Sequence, residues 1–214
     1  MKINSIVIAS VLLGLFGLVG TSLVSLTETA TRAQIEHNRQ QALLTKLEEL
    51  IPADSIDNNL LEHIPVVNAL EELGRPQSNL YLGTREQALY AIVYEARVPN
   101  GYAGVIELLV AVKQDGSLGG VRVVSHKETP GLGDKIELKR SDWALDFNGK
   151  SLQNPPANRW KVKKDGGDFD QFTGATITPR SIVSAVKSVL IYHGENSADL
   201  YADYLKNMQA GKSK

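Results

Sequence analysis

The sequence predicts an α+β protein, with an N-terminal transmembrane helix and helical stalk ahead of a domain built from an antiparallel sheet and flanking helices. Two observations lead to this prediction. An uncharged apolar stretch near the N-terminus is long enough to span a bilayer. Further along, several aliphatic runs follow one another across short turns before a final amphipathic segment. Strands followed by helices, without regular alternation, are typical of α+β rather than doubly wound domains.

Composition narrows the range of functions. The chain has 214 residues, of which 43% are hydrophobic and 22% are charged, as in globular proteins. Its formal net charge of -1 gives no overall field that would attract nucleic acid, so we expect no nucleic-acid partner. The absence of cysteine excludes disulfides, iron–sulfur clusters and thiolate zinc sites. Redox chemistry would therefore need an organic cofactor or a histidine–carboxylate metal site.

The N-terminal segment is predicted to be a membrane anchor over residues 1–27. The stretch Ile6–Val24 is apolar apart from small residues, and no charge occurs between Lys2 and Glu28. About 20 such residues cross a bilayer as a helix. A cleaved signal peptide is the alternative, although the stretch exceeds a usual signal core and no small-residue cleavage site follows closely. The short N-terminal tail favours insertion with the rest of the chain outside the cytoplasm.

A helical stalk and linker are predicted over residues 28–60. Apolar side chains recur there at helical spacing, with polar residues on the other face. The apolar positions are Ile35, Leu43, Leu44, Leu47 and Leu50. The helix is expected to stop before Pro52, because the residue before a proline disfavours helical geometry.

The main domain is predicted over residues 61–206, with strands at Ala88–Ala96, Val105–Val112 and Leu118–Ser125. The last two flank Asp115-Gly116, a dipeptide typical of hairpin turns. Near-continuous apolarity of the middle run predicts a strand that is covered on both faces.

The second half of the domain is less regular. A helix is expected after Gly133, a short strand at Trp160–Lys163, and a long amphipathic helix from Pro179. Residues 207–214 are expected to form a flexible tail.

One segment carries the features of an anion site. Residues 170–180 read D-Q-F-T-G-A-T-I-T-P-R, and Thr178 before Pro179 predicts a helix start capped by the threonine hydroxyl. A helix N-terminus attracts phosphate through its free N–H groups and its dipole. Thr173 and Thr176 lie within a few residues of it, and the small Gly174 and Ala175 leave the approach uncrowded. A plain capped helix after a glycine turn is the commoner structure with this pattern.

A second segment, H-K-E-T-P-G-L-G over residues 126–133, follows a predicted strand. Its proline and glycines predict a tight turn whose backbone can approach a flat ligand. His126 and Glu128 can bond either to polar ligand atoms or to the turn itself.

Together these segments resemble the signatures of FMN-binding domains. D-Q-F-T-G-A-T matches the flavinylation motif, which consists of Asp, two variable residues, Ser or Thr, and then Gly-Ala-Thr. The E-T-P-G-L-G run and the G-Y-A-G run at 101–104 resemble two further elements of that family. The resemblance implies that Thr176 carries FMN as a covalent phosphoester, that a flavin transferase attaches it, and that Asp170 belongs to the transferase recognition sequence.

With its anchor and length, the whole chain resembles the G subunits of Rnf-type electron transport complexes. This implies an electron-transfer subunit of a membrane-bound, ion-translocating oxidoreductase of the ferredoxin:NAD type, without turnover of its own. Its partners would be the other membrane subunits, and its domain would lie on the periplasmic side of the bacterial inner membrane. The C subunit of the sodium-translocating NADH:quinone reductase shares the anchor, domain and motif. Alternatives outside this class are an anchored, non-redox anion-binding module and a hydrolase that uses Thr176 or Thr173 as nucleophile with His126 as base.

Several other residues are candidates for contact with the cofactor. They are Thr173, Gly174, Ala175, Thr178, Glu128, Thr129, Gly131, Leu132 and Gly133. Tyr102 and Trp143 can also reach a flavin ring, although most such aromatics belong to the core. His37, His63 and His193 are isolated, so they are interpreted as structural or surface residues and no metal site is predicted.

Overall fold

The computed structural model describes residues 2–212. It contains two compact units, one ending at Leu43 and the other beginning at Leu44. The first helix, α1 (Lys2–Leu50), belongs partly to each unit. The proposed boundaries at residues 27 and 60 remain predictions.

Helix α1 is apolar and long enough over Asn4–Leu50 to span a membrane. Its threonines satisfy their hydroxyls within the helix: Thr21 Oγ1 donates to the carbonyl of Gly17 at 2.7 Å, and Thr27 Oγ1 to that of Leu23 at 2.8 Å. Such internal bonds allow a hydroxyl to lie in lipid without an unpaired donor. The helix ends two residues before Pro52, where the sequence predicts a stop.

The second unit contains the predicted antiparallel sheet, which the structure confirms. Its five strands lie in chain order, each antiparallel to its neighbour. They are β1 (Val66–Ala69), β2 (Arg75–Arg85), β3 (Ala88–Val98), β4 (Ile106–Lys113) and β5 (Leu118–Ser125). The first two were not predicted from the sequence. A single helical turn, α2 (Leu70–Leu73), separates them and ends on Gly74 in the left-handed region.

Both faces of β4 are covered, as its apolar sequence predicts. All five residues from Leu108 to Val112 are buried. The last helix packs against β3 and β4. Leu50, the last residue of α1, and the following Ile51 are also buried. Ile51 packs against β2, since a Cβ atom built on Gly83 would lie 3.5 Å from Ile51 Cδ1.

Two predictions for the region between β5 and the last helix are wrong. The helix expected after Gly133 is a 3₁₀ turn of three residues, Asp134–Ile136. The strand expected at Trp160–Lys163 is absent from the described residues, where Val162 makes only an isolated bridge to Phe169. Buried aromatic side chains hold this region in place of regular backbone pairing. They are Trp143, Phe147, Trp160, Phe169 and Phe172.

The last helix, α3 (Ile177–Lys212), is longer at both ends than predicted. It begins two residues before Pro179, and it continues through positions 207–212, where a flexible tail was expected. The extension has a packing reason, since Tyr204 is buried and Met208 packs against the core. Positions 213 and 214 of the expected tail lie outside the described residues.

Candidate functional site

Glu128 connects three separate segments of the chain. It follows β5, and its side chain is only 4% exposed. One carboxylate oxygen accepts a hydrogen bond from the backbone N–H of Ala103 at 3.0 Å, and the other accepts one from the Thr178 hydroxyl at the start of α3. A buried carboxylate needs such donors to offset its lost hydration. The G-Y-A-G run, the E-T-P-G-L-G run and the start of α3 therefore meet at one carboxylate.

The turn after Glu128 is tightly packed on its inner side. The carbonyl of Thr129 accepts bonds from the N–H groups of Leu132 at 3.1 Å and Gly133 at 3.0 Å. A Cβ at Gly133 would lie 2.8 Å from Glu128 Oε2 and 3.3 Å from Thr178 Oγ1. Only glycine fits there without displacing the carboxylate.

The flavinylation-like segment forms a second turn against the first. The N–H of Ala175 donates to the carbonyl of Phe172 at 3.1 Å, and Gly174 has a φ of 81°, as at the third position of a type II turn. Leu132 of the first turn lies against Gly174, since a Cβ atom built on this glycine would be 3.7 Å from Leu132 Cδ2. The two segments singled out by the sequence therefore touch, while Thr173 and Gly174 stay exposed.

Thr176 occupies the position directly before α3. Its carbonyl accepts a bond from the N–H of Arg180 at 3.2 Å, as expected of a residue that precedes the first helical turn. The residue is partly exposed, and within residues 2–212 its hydroxyl makes no hydrogen bond. The free N–H groups of a helix start lie next to this hydroxyl.

The prediction that the Thr178 hydroxyl caps the helix is wrong. Thr178 is fully buried within α3, and its hydroxyl donates to Glu128. Pro179 is still accommodated, because the first-turn N–H groups have no partner within the helix. Glu128 and Thr178 therefore lie beneath the two turns, whereas Thr129, Gly131 and Leu132 lie on the surface.

Asp170 is held by its side chain and by its backbone. Its exposed carboxylate pairs with Lys163 Nζ at 2.6 Å, and this contact raises the pKa of Lys163. Its carbonyl accepts a hydrogen bond from Trp143 Nε1 at 2.8 Å. Sequence reasoning missed this bond, since nothing in the spacing of Trp143 and Asp170 signals it.

The candidate aromatics differ in exposure. Trp143 is 7% exposed and packs edge-on against Phe172, with ring centroids 5.3 Å apart. Tyr102 is 68% exposed, and Leu132 and Ile177 are each 44% exposed. Ile177, next to Thr176, and Leu132, against Gly174, thus offer apolar surface that a flat ring can cover, while the Trp143 ring lies in the core.

His126 and His193 are engaged by neighbouring groups, whereas His37 and His63 are exposed. The Nδ1 atom of His126 accepts a bond from the N–H of Glu128 at 3.0 Å, so its Nε2–H donates to Glu137 at 2.8 Å. Both nitrogens are engaged, which argues against a base that activates a threonine. His193 is buried against the Tyr94 hydroxyl, and burial lowers its pKa to about 4. Among residues 2–212 there is no group of three potential ligands for a metal ion.

Comparison with known proteins places these features in a family. Residues 101–191 match the FMN-binding domain, and residues 1–50 match the RnfG N-terminal region. A protein of Pseudoalteromonas atlantica is 49% identical over 193 residues, which cover 89% of each chain. A Vibrio atlanticus protein is 46% identical over 204 residues, covering 95% of this chain and 97% of its own. A Pseudomonas aeruginosa protein is 47% identical over 197 residues, which cover 90% of this chain and 91% of that protein. All three are named as the G subunit of an ion-translocating oxidoreductase complex.

The chain belongs to this family of G subunits. It is therefore an electron-transfer subunit of the Rnf complex with an FMN-binding domain, as the resemblance implied. The matched domain begins at the G-Y-A-G run and ends within α3, so it includes all three segments that meet at Glu128. The exposed turns, the unengaged Thr176 hydroxyl and the neighbouring apolar side chains fit FMN in chemistry and in access.

Proposed function

We propose that this subunit carries FMN covalently, as a phosphoester on Thr176, and relays electrons through it within the complex. The observation that carries the proposal is the position of the Thr176 hydroxyl, unengaged within residues 2–212 and directly before α3. Thr178 is committed to Glu128, and Thr173 lies three residues further from the helix. Of the three hydroxyls, that of Thr176 places an attached phosphate closest to the helix N-terminus.

Each part of the site has a role in this proposal. The helix start stabilises the phosphate charge, and the glycines at 131 and 174 let the ligand approach the backbone. Leu132, Tyr102 and Ile177 provide apolar surface beside the ring. Bound FMN supplies the electron chemistry, and the protein sets its orientation and exposure.

The proposal includes a location and partners. The anchor would hold the protein in the inner membrane with its domain on the periplasmic side, next to other membrane subunits, in a complex of the ferredoxin:NAD type. No ionisable side chain occurs between Lys2 and Glu28, so the span itself offers no ion path. A flavin transferase would attach the cofactor, and a covalent bond would keep it from diffusing away outside the cytoplasm.

Two alternatives are less well supported. The names of the relatives favour the G subunit over the related subunit of the quinone reductase. The FMN-binding domain match favours a redox role over a colourless anion-binding module.

In-gel fluorescence after co-expression with a flavin transferase tests the attachment. The wild-type band and Thr176→Ser, which keeps a hydroxyl, should fluoresce after denaturation, and Thr176→Ala should not. Ser184→Ala is the matched control, because it removes an exposed hydroxyl from α3. Fluorescence that persists in Thr176→Ala would refute attachment at this residue.

A further inference from the structure

We propose that Trp143 is a positioning residue that holds the turn bearing Thr176 closed, and so fixes where the attached flavin sits. This inference rests on the proposed attachment at Thr176. The turn in question, the attachment turn, consists of residues 170–176. Trp143 lies 27 residues before the start of this turn, outside both motifs.

The first contact is a part-buried hydrogen bond to the start of the turn. Trp143 Nε1 donates to the Asp170 carbonyl at 2.8 Å. The tryptophan is itself fixed, because its backbone N–H donates to Ser141 Oγ at 3.3 Å. That hydroxyl in turn donates to the carbonyl of Lys135 at 2.7 Å.

The second contact is with the residue that closes the turn. The rings of Trp143 and Phe172 pack edge-on at 5.3 Å and 67°, and both side chains are buried. The Phe172 carbonyl accepts the hydrogen bond from Ala175 that defines the turn. Trp143 therefore restrains the turn at two points, through backbone at 170 and through a ring at 172.

Two other polar side-chain contacts of this segment lie in solvent. The ion pair of Asp170 with Lys163 is more than half exposed on both sides. The bond from the Lys164 N–H to Gln171 Oε1, at 3.1 Å, is exposed as well. Exposed pairs of this kind contribute little, because water and salt compete for them. The Trp143 and Phe172 rings are buried, so water competes less for the contact between them than for these two exposed contacts.

A fixed turn matters because a cofactor tethered by one ester is otherwise free to swing about it. Electron transfer sites are held in productive geometry by packed side chains behind the residues that touch the ligand. Trp143 is such a supporting side chain, because it contacts the turn that bears Thr176 and is mostly shielded from solvent.

Trp143→Phe tests the proposal, since it keeps an aromatic ring and removes the indole N–H. Trp160→Phe is the matched control. Trp160 is buried in the same aromatic cluster, and its Nε1 donates to the carbonyls of Ser151 at 3.0 Å and Pro155 at 3.1 Å, away from the attachment turn. Intact mass first establishes that FMN is present on each full-length protein. Hydrogen exchange of residues 170–176 and polarised fluorescence of the flavin then report on the turn and on the cofactor.

In Trp143→Phe we expect exchange in the attachment turn to accelerate about tenfold and flavin anisotropy to fall. Trp160→Phe should match wild type in both. Wild-type values in Trp143→Phe, or equal changes in both variants, would overturn the proposal. If Trp143→Phe does not fold, Phe172→Leu takes its place and should accelerate hydrogen exchange in the attachment turn. Unchanged exchange in Phe172→Leu would overturn the proposal. If wild type carries no FMN, the attachment itself fails, and exchange on the flavin-free proteins still decides whether Trp143 holds the turn.

Discussion

The hydroxyl of Thr178 donates a hydrogen bond to the carboxylate of Glu128, 50 residues earlier in the chain. Both side chains are buried, and the same carboxylate also holds the backbone of Ala103. The floor of the proposed flavin site is thus a polar contact between the two segments singled out by the sequence, 126–133 and 170–180.

Thr178→Val should destabilise the domain by about 1–3 kcal/mol, because it leaves a buried carboxylate oxygen without its donor. Denaturant unfolding of the full chain in detergent measures the change. Thr173→Val, at an exposed position of the attachment turn, should stay within about 0.5 kcal/mol of wild type. Equal effects of the two substitutions would show that the buried bond is not important for stability.

Gly133→Ala should also destabilise, by about 1–3 kcal/mol, since the new methyl group meets the Glu128 side chain at 2.8 Å. The same substitution at Gly194 of α3 meets nothing within 4 Å and should stabilise by about 0.5–1 kcal/mol through helix propensity. Thermal unfolding should therefore shift in opposite directions. A Gly133→Ala protein as stable as wild type would mean that the turn can move away from the Glu128 side chain at little cost.

His193 should make stability depend on pH. Burial lowers its pKa from 6.5 to about 4, so below pH 6.5 the unfolded chain takes up a proton that the folded chain refuses. The contribution of neutral His193 to the free energy of unfolding is fully present above pH 6.5. About 3 kcal/mol of it is lost as the pH falls to 4. Unfolding free energies between pH 4 and 7 should show a shallower slope in His193→Gln than in wild type. Parallel curves would contradict the assigned shift.

Gln87→Gly should stabilise the hairpin between β2 and β3. Glu86 and Gln87 form its two-residue turn, and both have positive φ, at 52° and 61°. Glycine adopts that conformation without strain, so we expect a gain of about 1 kcal/mol. The bond from Tyr201 to the Gln87 carbonyl at 2.7 Å involves only the backbone of Gln87 and should survive. A lower melting temperature would count against this interpretation.

Predictions from the sequence were most reliable where a pattern repeats. Strand β4 and the N-terminal helix each carry a long apolar run, which predicts burial for the strand and a membrane span for the helix. Strand β2 was missed because Arg75–Arg85 mixes polar and apolar residues without clean alternation. Its polar side chains instead form a network on the sheet, in which the Tyr81 hydroxyl donates to Glu95 at 2.7 Å.

At the candidate site, local turns were predicted from the sequence and long-range hydrogen bonds were not. The resemblance to FMN-binding domains linked the segment of Thr176 with the E-T-P-G-L-G turn, and Leu132 of that turn lies against Gly174 in the structure. The role of Thr178 was misread because a Thr-Pro pair at a helix start normally signals a cap. Its actual partner is distant in sequence, as is that of the Trp143 indole, and no local pattern reports such long-range bonds.

The most direct test of the covalent flavin is the mass of the intact protein made together with a flavin transferase. The phosphoester at Thr176 predicts a gain equal to one FMN less one water, localised by fragmentation to the peptide that contains residue 176. A protein that weighs no more than its polypeptide, or an adduct on any other residue, would contradict the account.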